Sequence, residues 1–324
     1  MNHWIAQKPE LLPDFMIGGA MKSGTSSIHI ILNTHPNVFI PTSEIHFFDI
    51  DNILQHSDFN TFNKSKWISQ NMEENPEKMW NWYYDKFKKQ KAQIIGEDST
   101  TYLASKIAAK RISIQKKEIK LIFILRQPSL RAYSNYFHLL RTGRAMYSFE
   151  ETIQREPYQI LGRSLYKEQI ENYYQFIPKD RIKIILFEDF IQDQEKTINE
   201  LCSFLNINFE EIPKEVLKTH SNKAKTPKKI NLQIKRNRLM KDVLQSTYKN
   251  KLPFHTTDYN KTTPFLLKAF NKLHSKLNPN TTQKTPSINE NTKLFLDNYF
   301  FNQLEGLDEL INQDVLSKWF PDLV

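Results

Sequence analysis

Lys22 sits inside the stretch Gly18-Gly19-Ala20-Met21-Lys22-Ser23-Gly24-Thr25-Ser26-Ser27. The chain has 324 residues and only seven glycines, and three of the seven fall here. The apolar run 14–18 precedes the turn, and Ile28, Ile31 and Leu32 follow it at helical spacing. A glycine turn between strand and helix presents backbone N–H groups and a helix N-terminus to an anion. Lys22 adds a point charge, and the hydroxyls of Ser23, Thr25, Ser26 and Ser27 add donors. Phosphate is the natural occupant. A tight turn without a ligand explains glycines, but not a lysine and four hydroxyls beside them. Two common nucleotide loops are excluded by register. The kinase loop G-x-x-x-x-G-K-[ST] puts lysine directly after the second glycine, whereas Lys22 precedes Gly24. The dinucleotide pattern G-x-G-x-x-G is not matched either.

The elements around this turn read as an α/β domain. Apolar runs at 14–18, 38–40, 93–96, 120–125 and 182–187 read as short strands, and KLIFIL at 120–125 suits a central parallel strand. Pro128 opens a helix with Leu130, Tyr133, Phe137 and Leu140 on one face. Further helices are expected at about 164–177, 194–205 and 290–313. Residues 51–90, polar and aromatic without a period, read as short helices and loops. Strands alternating with helices predict a mainly parallel central sheet flanked by helices, with ligands at the carboxyl ends of the strands.

Hydrophobic content of 39% with 12% aromatics argues against a disordered chain. The single cysteine, Cys202, rules out an internal disulfide framework. No apolar run has membrane-span length and no signal peptide is visible, so the expected address is cytoplasmic. The net charge of +9 comes from one segment: 214–251 holds twelve Lys/Arg and two acids, against 33 and 34 elsewhere. Such a segment attracts an anionic ligand, a polyanionic substrate or nucleic acid, or forms a solvated surface.

The glycine turn resembles the 5′-phosphosulfate loop of sulfotransferases that use 3′-phosphoadenosine 5′-phosphosulfate (PAPS), of the bacterial and heparan-sulfate type. Their second nucleotide element, a strand ending in Arg with Ser eight residues on, resembles Leu125–Ser134, with Arg126 and Ser134 matching. Gln127 stands where many relatives have Asp. Glu44-Ile45-His46-Phe47-Phe48-Asp49 is similar to the E-x-H-F-F-D segment whose Glu serves as base. Ser43 stands where relatives often have Lys. The helix–Pro–strand stretch from Tyr166 and the segment from Leu307 to Trp319 add to the likeness. It implies one P-loop-like sulfotransferase domain over residues 1–324, with less-matched insertions at about 51–90 and 220–288.

The reaction implied is sulfuryl transfer from PAPS to a hydroxyl or amine, leaving 3′,5′-bisphosphoadenosine. No metal is expected, since a sulfuryl group carries less charge than a phosphoryl group. Lys22 would stabilise the leaving bisphosphate, and Ser23, Gly24, Thr25, Ser26 and Ser27 would hold the 5′-phosphate. Arg126 and Ser134 would grip the 3′-phosphate. Lys223 or Lys225 would close over the nucleotide, and Tyr166 would lie near it or pack in the core. Glu44 would take the acceptor proton, its pKa raised by burial; His46 is the rival base, or a histidine that orients Glu44. Asp49 would polarise His46 or cap a helix. Asp98 and Thr100, with Glu44 and His46, are expected acceptor contacts.

Three functions stay open: sulfation of a small metabolite, which the cytoplasmic expectation favours; sulfation of a glycan or sugar precursor; and a nucleotide- or nucleic-acid-binding protein using residues 214–251. The last leaves Glu44, Arg126 and Ser134 unexplained, so no nucleic-acid partner is expected, and no membrane. The strip 94–98 read as the magnesium-holding strand end of an ATPase is weaker, because the lysine register is wrong.

Overall fold

A computed structural model describes residues 2–63, 65–88, 93–217, 226–244, 252–254, 265–281 and 285–324. In chain order the first half gives β1 (Phe15–Gly19), α1 (Thr25–Leu32), β2 (Val38–Phe39), β3 (Thr61–Asn63), β4 (Lys66–Ile68), α2 (Pro76–Tyr84), β5 (Ile94–Asp98), α3 (Ala108–Ser113), β6 (Lys120–Leu125) and α4 (Pro128–Thr142). There follow α5 (Phe149–Arg155), α6 (Pro157–Ile160), α7 (Tyr166–Tyr174), β7 (Ile182–Leu186), α8 (Phe187–Gln192), α9 (Gln194–Leu205) and α10 (Lys214–Leu217). The last part gives β8 (Thr226–Pro227), α11 (Ile230–Leu244), α12 (Phe265–Leu277), β9 (Asn280–Thr281), α13 (Glu290–Gln303), α14 (Leu307–Ile311) and α15 (Leu316–Trp319).

Five strands form a sheet of order β2-β5-β1-β6-β7, parallel throughout. Parallel strands need covered faces, and the residue pattern supplies them. Along β6, Ile122 and Ile124 join a core with Ile28 and Leu32 of α1 and Ile198 and Leu201 of α9. Leu121, Phe123 and Leu125 point the other way, into a core with Ala132 of α4, Tyr173 of α7 and Phe300 of α13. The period of two in a strand thus builds two cores from one apolar run.

The sheet strands and α9 lie where the sequence puts them, within two residues. Two regions differ. The helix expected over 290–313 is broken, because Gly306 takes φ +81° and caps α14. Residues 51–90 contain an antiparallel hairpin, β3–β4, too short to show a period. Trp80, Tyr83 and Tyr84 of α2 are core residues, and Tyr83 stacks on Phe47 with ring centroids 4.1 Å apart.

The end of β5 is the anchor for a neighbouring segment. Glu97 is fully buried and accepts from the hydroxyls of Tyr83 and Tyr102, and from Ser99 Oγ at 2.7 Å. Burial pushes its carboxyl pKa up, and the three donors oppose that. Ser99 Oγ in turn accepts from the amides of Ile45 at 3.3 Å and His46 at 2.8 Å. Tyr102 O–H accepts from the Phe48 amide at 3.1 Å. One carboxyl therefore positions three consecutive anchor points of residues 45–48. Replacing Glu97 by Gln puts an N–H₂ donor where one or two hydroxyls donate. The expected cost is about 1–3 kcal/mol of unfolding free energy. Thermal unfolding checks this; a loss no larger than that of Glu200→Gln, an exposed control, would show that the anchor is not carrying the segment.

Candidate active site

Lys22 lies in the turn between β1 and α1, with φ +73°. Gly24, the N-cap of α1, takes φ +90°, and a Cβ there would meet the Phe187 ring at 2.9 Å. Only glycine fits both demands. No side chain caps α1, so its first turn faces the site with open amides. Ser23 is fully buried and its Oγ has no partner. Two guanidinium groups grip the turn by its carbonyls: Arg126 Nη1 donates to Lys22 O at 3.0 Å, and Arg131 Nη1 to Met21 O at 3.5 Å. Arg131 is held by Ser164 Oγ and Ile160 O, both at 2.5 Å.

Arg126 follows β6 and stacks over Phe187 at 4.7 Å, while its buried Nε has no partner. Tyr166 is a core residue whose hydroxyl donates to Arg126 O at 2.9 Å, so it holds the strand end from below. Ser134 lies two turns into α4, half-buried. Gln127 keeps the capping role an aspartate would have: its side chain accepts from the Leu130 amide at 2.7 Å and donates to Asp297 Oδ1 at 2.8 Å. Lys223 and Lys225 lie outside the described residues.

Across the turn, His46 Nε2 is 3.1 Å from Glu44 Oε2, which also accepts from Thr100 Oγ1 at 2.9 Å. His46 Nδ1 is 3.0 Å from Thr101 Oγ1. Burial acts to raise the Glu44 pKa, but the hydrogen bond and charge of His46 outweigh it and hold it down to about 2. The expectation of a raised Glu44 pKa is therefore overturned by its pairing. His46 shifts the opposite way: burial lowers its pKa, and Glu44 more than restores it. The two opposite shifts favour a carboxylate paired with a protonated imidazole.

Asp49 does not cap an exposed turn, although its charge acts on His46 and raises its pKa. It is fully buried and bonds His56 Nε2 at 2.9 Å. Thr101 Oγ1 lies 3.3 Å from the same nitrogen, joining the two histidines. Asp98 turns to His29 Nδ1, at 3.1 Å. Asp98 and Thr100 thus support their neighbours: Thr100 holds Glu44, and Asp98 binds α1. His46, Asp49 and His56 also form a set that could hold a cation, with one ligand atom from each within 4.8 Å of the others. Asp49 Oδ2 is buried without a partner, which fits such a role, while Asp49 Oδ1 is committed to His56. The sequence reading missed this set because His56 lies in a stretch without periodicity.

The sequence reading also missed a cationic wall. Burial and the charges of Arg141 and Arg126 push the Lys22 pKa down to about 8, with Glu44 opposing. Arg131, His138 and Arg141 recur on α4 at the same helical spacing as Ser134, which is the signal that could have found them. A buried group of cations with unpartnered donors at Ser23 Oγ and Arg126 Nε fits an anionic, phosphate-bearing ligand.

Comparison with known proteins agrees with this geometry. A model described as "Sulfotransferase family" matches residues 13–211. Heparan sulfate glucosamine 3-O-sulfotransferase 5 of Mus musculus is 28% identical over 209 residues, covering 60% of this chain and 54% of its own. The bifunctional heparan sulfate N-deacetylase/N-sulfotransferase 2 of Homo sapiens is 26% identical over 221 residues, covering 63% of this chain and 23% of its own. The chain spans about half the length of the first of these relatives. A sulfotransferase crystal structure from Alicyclobacillus acidocaldarius superposes with a TM-score of 0.61 at 22% identity, covering 95% of this chain and 98% of that one, which shows a shared fold. Since the family match takes in the Lys22 turn, the Glu44 segment and the Arg126 strand end together, the chain belongs to the sulfotransferase family.

Proposed function

We propose that this chain transfers the sulfuryl group of PAPS to a hydroxyl or amine of an acceptor. The observation that carries the reading is the apposition of Lys22, in an uncapped helix N-terminus, with the Glu44–His46 pair. The charge of Glu44 acts on Lys22, which supports assigning both to one site. Bound PAPS supplies an activated sulfuryl group on a phosphosulfate bridge. The amides and hydroxyls of residues 23–27 hold the 5′-phosphate, and Arg126 with Ser134 holds the 3′-phosphate. Lys22 stabilises negative charge on the departing bridge oxygen. The Glu44 carboxylate accepts the acceptor proton, and His46 and Thr100, both bonded to Oε2, fix it in place. A carboxylate this acidic still serves, because the acceptor proton becomes strongly acidic as the new bond to sulfur forms.

For the acceptor, the first reading is a small diffusible metabolite. Trp80, Tyr83 and Tyr84 are buried in the core and line no acceptor pocket. The second reading, a glycan or sugar precursor, has a specific observation in its favour: the matched relatives are named for heparan sulfate. Radiolabelled PAPS offered with sugars, heparan-type oligosaccharides, phenols, alcohols and amines separates the two. Among the described residues of the basic segment, Arg236 bonds Asn271 Oδ1 at 2.9 Å and Arg238 bonds Met146 O at 2.7 Å.

Three outcomes test the donor site and the base. Calorimetry with 3′,5′-bisphosphoadenosine should show binding that Arg126→Ala weakens by about 10- to 100-fold; no binding by the unaltered protein would sink the cofactor assignment. The Lys22 cation is present below pH about 8 and is lost above it. Bisphosphate affinity should therefore hold steady up to that pH and fall beyond it, and Lys22→Met should flatten the profile. Glu44→Gln should lower turnover about 10²- to 10⁴-fold with little change in bisphosphate affinity. Full turnover in Glu44→Gln alongside its loss in His46→Ala would make the imidazole the base.

A further inference from the structure

Asp49 and His56 have no part in the chemistry above, yet with His46 they converge on one point. Asp49 and His56 are buried, and one ligand atom from each of the three residues lies within 4.8 Å of the others. Asp49 Oδ1 and His56 Nε2 are 2.9 Å apart. That is close to the separation of two ligands on one ion, where each bond is about 2.1 Å long. Thr101 Oγ1 lies 3.0 Å from His46 Nδ1 and 3.3 Å from His56 Nε2, so one small centre already touches both rings. The Phe59 ring stacks on His56 at 4.4 Å and holds its plane. The second oxygen of Asp49, Oδ2, is buried without a partner. An unpaired carboxylate oxygen on a fully enclosed side chain is uncommon and calls for an explanation.

We propose that His46, Asp49 and His56 bind one divalent transition ion of the zinc class, and that the bound ion restrains catalysis. Two imidazoles and one carboxylate suit Zn²⁺, whereas Mg²⁺ and Ca²⁺ take oxygen ligands. His46 offers Nδ1, the nitrogen on the Thr101 side, because its Nε2 faces Glu44 Oε2 at 3.1 Å. A proton carried on a ligating nitrogen leaves to solvent as the ion binds, and water fills the open position. Ligand atoms about 2.1 Å from an ion lie about 3.4 Å apart, so the His46 ring must close by about 1 Å. His46 is placed to make that move, since it lies on a loop and its side chain is 15% exposed. The same motion draws Nε2 away from Glu44 Oε2. Of the two side chains that fix this oxygen, Thr100 then remains, at 2.9 Å. The ion takes no part in sulfuryl transfer; it withdraws a group that positions the base. The metal site stands on its own residues, and only its effect on turnover rests on the sulfuryl-transfer reading.

The test uses tag-free protein, Zn²⁺ alone as the probe, and hydrolysis of radiolabelled PAPS with water as acceptor. Calorimetry should show one equivalent of Zn²⁺ bound, and a large excess of Mg²⁺ should not displace it. His56→Gln and His46→Gln should each weaken Zn²⁺ binding by more than about 10-fold, the least that a supporting residue of a metal site costs. The hydrolysis rate of the unaltered protein should fall by about 10- to 100-fold as Zn²⁺ fills the site, the effect of a catalytic group misplaced by about 1 Å, and should return on chelation. Over the same Zn²⁺ range the rate of His56→Gln should not respond. Affinity for 3′,5′-bisphosphoadenosine should be unchanged by Zn²⁺, and its retention in both variants shows that they fold. A protein that binds no Zn²⁺ would overturn the proposal. So would undiminished Zn²⁺ affinity in either folded variant, displacement by Mg²⁺, or a full hydrolysis rate with the site occupied. A protein that bound Zn²⁺ as expected but neither bound bisphosphate nor hydrolysed PAPS would lose the sulfuryl-transfer reading and keep the metal site.

Discussion

The fixed point of the site is a carboxyl that never meets a ligand. Glu97 is buried at the end of β5, where an unpaired carboxylate would be costly. Three hydroxyls converge on it and make its burial tolerable. Two of them, those of Ser99 and Tyr102, also accept from the amides of residues 45, 46 and 48. Residues 44–48 have no strand or helix until the short turn at Phe47, and they need such outside support. Their geometry is inherited from the sheet through Ser99 and Tyr102. The base is therefore as rigid as β5, although it sits on a loop. On the adjacent strand, β1, the Lys22 turn is held in the same manner by Arg126 and Arg131. The two halves of the chemistry thus come from neighbouring strands whose parallel direction brings their carboxyl ends together.

The two halves differ in electrostatic balance. Glu44 and His46 neutralise each other, and their opposite pKa shifts record it. The Lys22 side has no such partner: its neighbours Arg126, Arg131 and Arg141 all oppose its charge, and only Glu44 favours it. Holding these cations together costs stability in the free protein. An anion bound among them removes that cost, so part of its binding energy is relief of existing repulsion. Ligand binding and protein stability are then linked, and the bound protein should be the more stable by mass action.

Donor-side features were legible in the sequence because they are local. The order of glycine, lysine and hydroxyl residues in 18–27 specifies a turn, and KLIFIL specifies a buried strand. The supporting contacts were not legible, because they join distant parts of the chain. Thr100 and Asp98 read as acceptor contacts, since they follow a strand in an α/β sheet. Only the fold shows that one holds Glu44 and the other holds His29. The sign of the Glu44 shift failed for the same reason. Burial by Phe47 and Phe48 could be read from the segment, but the short distance to His46 depends on a left-handed backbone at residue 46, with φ +57°. The broken last helix turned on one residue, Gly306.

The family match ends at residue 211, and the chain beyond it is tied to the site through α4. Asn237 of α11 donates to Leu140 O and to Ala145 O, both at 2.8 Å. Both acceptors lie at the end of the helix that carries Ser134, His138 and Arg141. Asp297 of α13 does the equivalent at the other end, accepting from Gln127 Nε2 at 2.8 Å and Ser129 Oγ at 2.5 Å. The unmatched C-terminal region therefore clamps α4 at both ends. A change there that suits a different acceptor would be transmitted to α4 without touching the Lys22 turn or Glu97. The Lys22 turn and the Glu44 segment draw their support from the matched region, whereas α4 depends on residues beyond it at both ends.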